Sequence, residues 1–437
     1  MSNAAGSPAA SARPTFELRE AHAHIFQLGR SLRMIELSGC RSGAELLDAF
    51  AQARQQNADT APLLAQGARP ESWNDPDWPS LAAFDRVTGD SPALAWCFDY
   101  HALLANSAML ALAGIDDQTP DPPGGMIQHT PHTPHTPHTP DGHLTGVVYE
   151  AAALHVWNAA PEPSKTDRPD LLAAALQALD EFAEIHDLKA QPWLGPVLNR
   201  VLPEHAPDTR VVLYPLLEDL DATLATRSAW ESDNLRLGGA KVFVDGTLNS
   251  RTAWMLHPYA DGRPDHPQGT PMMTPEQLED AVRRCDAARL PLAAHAIGDG
   301  AVRAVLDAIE KVGPRTPGFR IEHAEVIDAA DVSRFVELGV IASVQPCHLL
   351  TDIEALRKAL PDRLERVLPL RELIDAGCVP GRTLLFGSDV PIVRADPADS
   401  ILAATARRRG DMPACEAITP EQAITSNEAW AAFGVRA

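Results

Sequence analysis

The chain has 437 residues, 45% of them hydrophobic, and a formal net charge of −22. That length supplies one large domain or two ordinary ones with a full core. The acidic balance argues against nucleic acid or an anionic membrane surface as partner, because no basic field exists to attract phosphate. Six cysteines (Cys40, Cys97, Cys285, Cys347, Cys378 and Cys415) are scattered without a C-x-x-C pair and read as reduced, mostly buried thiols. Residues 1–14 are small and polar, without the charged start and apolar run of a signal peptide. No uninterrupted apolar stretch is long enough to span a membrane, so the expected location is the cytoplasm.

In chain order, residues 1–14 are expected to be disordered. A short extended run, Thr15 to Arg19, leads into Glu20-Ala21-His22-Ala23-His24. In a strand, residues i and i+2 share a face, so both imidazoles can reach one point, and a metal ion is the usual reason to aim two there. Residues 30–166 are irregular and rich in Pro, Gly and Trp, and they read as one inserted, substrate-covering segment. Within it, 129–140 repeats His-Thr-Pro, which prolines keep off any helix, and is expected to form a mobile surface loop. From Thr166 the texture turns regular. Asp170–Asp187 has Leu171, Leu172, Leu176, Leu179 and Phe182 at helical spacing. Short apolar runs follow at Leu188–Leu194, Val211–Leu217, Ala240–Asp245, Leu290–His295, Arg320–His323, Val340–Val344 and Leu384–Asp389. Helix patterns separate most of them, at Pro275–Arg289, Asp299–Val312, Ala329–Leu338 and Leu370–Ala376, then Pro397–Arg409 and Thr419–Phe433. With the first strand there are eight alternating units, so the predicted fold class is α/β, a TIM-type (β/α)8 barrel over 15–437 with 30–166 inserted between its first two strands.

Such barrels carry their chemistry where strands end. The first strand ends at His22 and His24, the fourth carries Lys241, the fifth ends at His295, the sixth at His323 and the eighth at Asp389. One histidine at a strand end is more often a hydrogen-bonded core residue than a ligand. Four histidines, a lysine and an aspartate, all on barrel strands at or near their ends, are harder to explain that way.

Six stretches carry a family resemblance: Glu20–His24; Thr119–Gly125; Gly239–Thr252; Ala294–Asp299; Arg320–Glu325 with Ser343–Pro346; and Gly387–Pro391. Through them the chain resembles the amidohydrolase superfamily, in particular the amidohydrolase family 3 branch that includes enzymes like YtcJ and N-substituted formamide deformylase. The resemblance implies a hydrolase of an amide or related C–N bond, other than a peptide bond, in a small molecule. It implies two divalent metal ions, zinc being the expected metal: His22, His24 and Asp389 on the buried one, His295 and His323 on the other. Lys241 would bridge them after carboxylation by carbon dioxide. The types suit these roles, since an ammonium offers only donors whereas a carbamate offers two anionic oxygens, and neutral imidazole is a good zinc ligand. A hydroxide bridging the metals would attack, with Asp389 as general base and then acid.

Each residue also has a plainer reading: Lys241 as a salt-bridged lysine, Asp389 as a turn or helix cap, and Asp299 as the cap of the following helix. His101, in Asp99-Tyr100-His101, matches a histidine of the family pattern and is a catalytic candidate or a packed histidine. His348 could reach the pocket rim, also as a catalytic candidate. Arg251 could bind a carboxylate but reads better as a loop brace; Glu150 has an open role. Trp73, Trp78 and Trp96 could line an apolar pocket, with core packing the safer expectation.

Two departures stand out. Family members carry a small β-sandwich built from segments flanking the barrel, and the sequence before His22 and after the final helix is too short to supply it. The barrel surface so uncovered points to a homodimer as one way to bury it. Relatives also place His-Asp or Gln-Asp at the end of the second strand, where this chain reads Lys189-Ala190-Gln191-Pro192-Trp193. Two other readings stay open. In a one-metal deaminase on the same scaffold, a glutamate three residues after the fifth-strand histidine shuttles the proton; here Gly298 stands there. The other is a non-catalytic metal-binding descendant.

Overall fold

A computed structural model describes residues 15–56, 62–70, 73–75, 77–98, 100, 102–122, 125–130, 142–262 and 266–435. The chain forms two compact units, one from Met1–Gly29 with Pro169–Ala437 and one from Arg30–Arg168. The structure is α/β, as the alternation of runs predicts. No described helix is long and apolar enough to cross a membrane. None of the six cysteines forms a disulfide; Cys285, Cys347 and Cys378 are buried, while Cys415 is exposed.

The first unit is built on two parallel sheets. One holds, in order, Leu18–Ala23, Phe182–Ala190, Arg210–Pro215 and Leu235–Leu237; the other holds Ala240–Phe243, Leu292–Ala296, Arg320–His323, Ile341–Val344 and Leu384–Phe386. Single parallel bridges join the two sheets, Leu216 to Lys241 on one side and Ala23 to Val390 on the other. Parallel neighbours need crossovers, and helices supply them. Asp299–Val312 buries Val302, Val305, Leu306 and Ile309, an i, i+3, i+4, i+7 stripe. Pro275–Ala287 starts at a capping box, in which Thr274 Oγ1 accepts from Gln277 N at 3.3 Å and Gln277 Oε1 accepts from Thr274 N at 2.8 Å.

The second strand corrects the sequence reading. The helix ends at Ala178, and the strand is Phe182–Ala190 rather than Leu188–Leu194. Leu179 and Phe182 continue the helical spacing by accident across the turn between them. The strand itself was hidden because Glu184, His186 and Asp187 are buried in it, so its charged residues mimic a solvent face. The pair His186-Asp187 therefore lies within this strand, which ends at Ala190.

The second unit is less irregular than its composition suggests. Its sheet runs Ile35–Glu36, Leu63–Ala68, Ala93–Cys97, Ala102–Ala105, Leu144–Glu150, Gly125–His129; the first two pairings are parallel and the others antiparallel. One core gathers Phe50, Trp73 and Phe84, another Trp96, Met109 and Val156. Trp73 and Trp96 are thus core residues, and Trp78 lies edge-on to Trp73 at 5.8 Å. Glu150 sits at φ +54° where a strand turns directly into Ala151–Ala159. His101 and residues 131–140 of the His-Thr-Pro tract lie outside the described residues, as do residues 1–14.

Asn106 holds this unit's turns together from a fully buried position. Its Oδ1 accepts from Ala93 N and Met109 N, both at 2.9 Å, and its Nδ2 donates to Ser91 O at 2.7 Å and Thr88 Oγ1 at 2.9 Å. Asn106→Ala removes a helix cap and strands buried donors and acceptors, so urea titration should show a loss on the order of 3 kcal/mol. A change within experimental error would mean that water replaces the amide.

Candidate metal centre

The site begins with the first strand. Glu20 and His22 alternate onto one face, and both are buried. His24 follows the strand and continues the alternation. Nε2 of His24 lies 2.9 Å from Asp389 Oδ1, and Nε2 of His22 lies 3.4 Å from the same oxygen. The backbone fixes this meeting: Asp389 N donates to His22 O at 2.8 Å, and His24 N to Val390 O at 2.9 Å. Glu20 Oε1 accepts from both His22 N and Ser388 N at 2.9 Å. Gly387 makes the approach sterically possible, because a Cβ there would stand 2.5 Å from His22 N and 2.6 Å from Glu20 Oε1.

His323 extends the group. Arg320 and Glu322 share one strand face, so His323 would point the other way in a regular strand. Its φ is +71°, a region costly for a side chain with Cβ, and Asp389 stands at φ +64°. These two turns bring both side chains to His22. Ligand atoms of His22, His323 and Asp389 lie within 4.8 Å of one another. The rings run in series: His24 to His22 at 5.4 Å, His22 to His323 at 4.8 Å, and His323 to His295 at 4.5 Å. His295 Nε2 is 3.0 Å from Gly246 O and 3.6 Å from Asp245 Oδ1. Lys241 is buried on the neighbouring strand, where Phe243 pairs with His295.

Burial sets the protonation. It pushes the His22 imidazole down to about 4, with the Lys241 charge adding to the effect. His295 falls to about 3 for the same two reasons, and His323 falls well below its ordinary value through burial and its histidine neighbours. All three are neutral imidazoles at pH 7, the form that binds a metal. Burial drives Lys241 down to about 8. For Asp389 burial acts upward, but His22 and His24 outweigh it and hold the carboxyl well below its usual range.

The donor set fits a divalent cation. Among the described buried side-chain atoms without a hydrogen-bond partner are Lys241 Nζ, His24 Nδ1 and His323 Nδ1. Orphaned buried polar atoms are costly. Imidazole nitrogens, a carboxylate and a modifiable lysine gathered in one place answer that cost if cations are bound there.

The remaining candidates separate. His348 comes beside the group, its ring 6.1 Å from that of His323 and its Nε2 3.2 Å from Ser388 O. Arg251 is a brace: it forks onto Asp261 at 2.6 and 2.7 Å and donates to Leu248 O at 2.8 Å. Asp299 is not the helix cap. Gly298 occupies that position, and Asp299 Oδ1 instead accepts from Leu256 N at 2.8 Å, pinning a loop.

Several buried groups were not singled out from sequence. Glu322 accepts from His22 Nδ1 at 2.7 Å and is clasped by Arg320. Asp245 accepts from Ile297 N, Gly298 N and Trp254 N at 2.9–3.0 Å, yet burial still pushes it up to about 7. The signal for Glu322 was its spacing: Arg320 and Glu322 lie i, i+2 on a strand otherwise buried, which calls for mutual compensation.

A profile described as amidohydrolase family matches residues 18–437. The chain is 29% identical over 418 residues to protein LONG AFTER FAR-RED 3 of Arabidopsis thaliana, covering 89% of this chain and 68% of that one. It is 27% identical over 413 residues to the putative amidohydrolase YtcJ of Bacillus subtilis (strain 168), covering 89% and 72%. It is 27% identical over 376 residues to the N-substituted formamide deformylase of Arthrobacter pascens, covering 80% and 65%. In structure it resembles an uncharacterized metal-dependent hydrolase from Pyrococcus horikoshii OT3, with a TM-score of 0.74 at 25% identity over 95% of this chain and 78% of that one. The chain belongs to the amidohydrolase family.

Proposed function

We propose that this protein hydrolyses an amide or related C–N bond of a small molecule at a two-metal centre, zinc being the metal its nitrogen-rich donors suit. The bridges at Leu216–Lys241 and Ala23–Val390 support reading the parallel strands other than Leu235–Leu237 as a closed (β/α)8 barrel, with residues 30–168 inserted after the first strand. His22, His24 and Asp389 would hold one ion, His295 and His323 the other, and a Lys241 carbamate both. Bound there, the metals would supply an acidified water and a polarised carbonyl.

The chain's own residues do the rest. Asp389, held well below its usual range and so ionised, takes a proton from the attacking water as the water oxygen bonds to the carbonyl carbon. It gives that proton to the leaving nitrogen as the C–N bond breaks, and the carboxylate is restored. His348 stands near enough to His323 to orient the substrate. Lys241 carries the reading furthest: a fully buried amine, without a partner at Nζ and already depressed to about 8, is prepared to add carbon dioxide. A deaminase-type shuttle is disfavoured, because Gly298 fills its place and the Asp299 carboxylate is engaged with Leu256 N.

The substrate class is tested by assaying amine release from N-formyl, N-acyl and cyclic amides before and after chelation. Activity on one class, lost on metal removal and restored by zinc, is expected; a zinc-loaded protein inert on all three would sink the C–N assignment. Lys241→Ala should lower turnover by at least about a hundredfold, with partial recovery by short carboxylates that replace the carbamate. Full activity without them removes the carbamate. Asp389→Asn should cost about 10²–10⁴-fold in kcat.

Carbamate formation also has a pH signature. The amine must be neutral to attack, and its folded value lies below the ordinary 10.5. At fixed dissolved carbon dioxide, its rate in metal-free protein, followed by ¹³C NMR, should rise about fivefold from pH 7 to 8 and level above about pH 9. A tenfold rise per pH unit continuing to pH 10 is the behaviour of an unperturbed lysine and would contradict the buried site.

A further inference from the structure

Directly behind His22 lies a charged pair that ligates nothing. Glu322 is fully buried and Arg320 nearly so. Glu322 Oε2 meets His22 Nδ1 at 2.7 Å and Arg320 Nη2 at 3.1 Å, while Oε1 takes Arg320 Nε. Arg320 is itself immobilised, since Nη2 also donates to Ala21 O at 2.8 Å and Ser343 Oγ at 2.6 Å, and Nη1 reaches His186 Nδ1 at 2.8 Å.

These contacts fix two tautomers. Arg320 has only donors, so His186 must present a lone pair at Nδ1 and carry its hydrogen on Nε2, which donates to Glu184 Oε1 at 3.0 Å. Glu322, which accepts Arg320 donors at both oxygens, requires the opposite of His22: hydrogen on Nδ1, lone pair on Nε2. That lone pair faces the Asp389 side of the centre. An arginine–glutamate pair kept only for stability has no need of a histidine as third partner, and an apolar pair would serve as well.

We propose that Glu322, clamped by Arg320, is a positioning residue of the metal centre: it locks His22 in the Nδ1–H tautomer and aims Nε2 at the ion. This rests on the metal-dependent reading above. A carboxylate behind a ligating imidazole orients the ring and raises its basicity, and its loss weakens metal binding about 10–100-fold.

The test uses the full chain and zinc alone. Zinc dissociation constants by chelator competition, and thermal unfolding of the metal-free forms, are measured for wild type, Glu322→Gln and Ser343→Ala. Ser343→Ala removes one Arg320 partner but leaves the Glu322–His22 contact. The expected result is zinc binding about 10–100-fold weaker in E322Q and unchanged in S343A. Unchanged affinity in E322Q overturns the proposal. So does weakening in both variants in step with their loss of stability, which would make the pair a structural brace. If E322Q does not fold, cobalt(II)-loaded wild type decides: a paramagnetically shifted ring N–H that exchanges slowly with solvent supports a Glu322-bound Nδ1–H, and its absence overturns it. Wild type that takes up no zinc fails the metal-centre reading itself, whereas tight wild-type binding with intact E322Q affinity fails only the positioning role.

Discussion

The mutual compensation of Arg320 and Glu322 is the constraint on which the rest of the site depends. Both lie on one strand in an interior sealed from water. Leaving either without the other would cost about 3–5 kcal/mol. Paired, they form a rigid charged floor between the strands: Arg320 ties its own strand to Ser343 on the next and to Ala21 on the first. The first strand is thereby held at the depth where His22 meets Glu322 on one side and Asp389 on the other. Gly387 completes the fit, since no other residue lets the last strand lie so close to Glu20 and His22.

Local backbone cost is spent above this floor. His323 and Asp389 each leave their strands in a conformation that branched or bulky residues avoid, at about 1–3 kcal/mol each. Regular strands would have directed these side chains away from His22. The surrounding hydrogen bonds over-determine both turns: Asp389 N is tied to His22 O, and Ala324 N to Ala296 O at 3.0 Å. The strain at these two positions sits where two candidate ligands converge, and the adjoining helix Asp299–Val312 is regular.

Legibility in the sequence followed the same physics. The helix Asp299–Val312 was readable to the residue because its hydrophobic period is clean. The His-x-His pair was readable because period-two alternation needs no knowledge of neighbours, and His295, His323 and Asp389 were readable from their place at or just after strand ends. The second strand was not, since one of its buried faces carries Glu184 and His186, polar groups that only partners on other strands justify, Arg19 and Arg320. Glu322 was missed for the same reason; its role lies in a contact spanning 300 positions of sequence with His22. Asp299 was misread because a helix-start aspartate looks alike whether it caps the helix or pins a distant loop. In the second unit, short strands such as Ala102–Ala105, buried throughout, offered no alternation to read.

The carboxylates near the centre are sorted by what faces them, and the sorting bears on which one can move a proton. Burial raises them all; the partners decide the outcome. Asp245 is pushed up to about 7 despite three backbone N–H donors, because no cation stands against it, and those donors make it the anchor of the loops at Trp254 and Ile297. Glu20 also rises to about 7, with its bonds to His22 N and Ser388 N holding first and last strands together. Glu322 is driven low by Arg320 and His22, but both its oxygens are already engaged, so it has no free lone pair facing the site. Asp389 is likewise held well below its usual range, but its oxygen faces His22 and His24 rather than an arginine. A group that must accept a proton from water and release it to nitrogen within one cycle needs to be ionised before reaction and held by partners that tolerate its protonation.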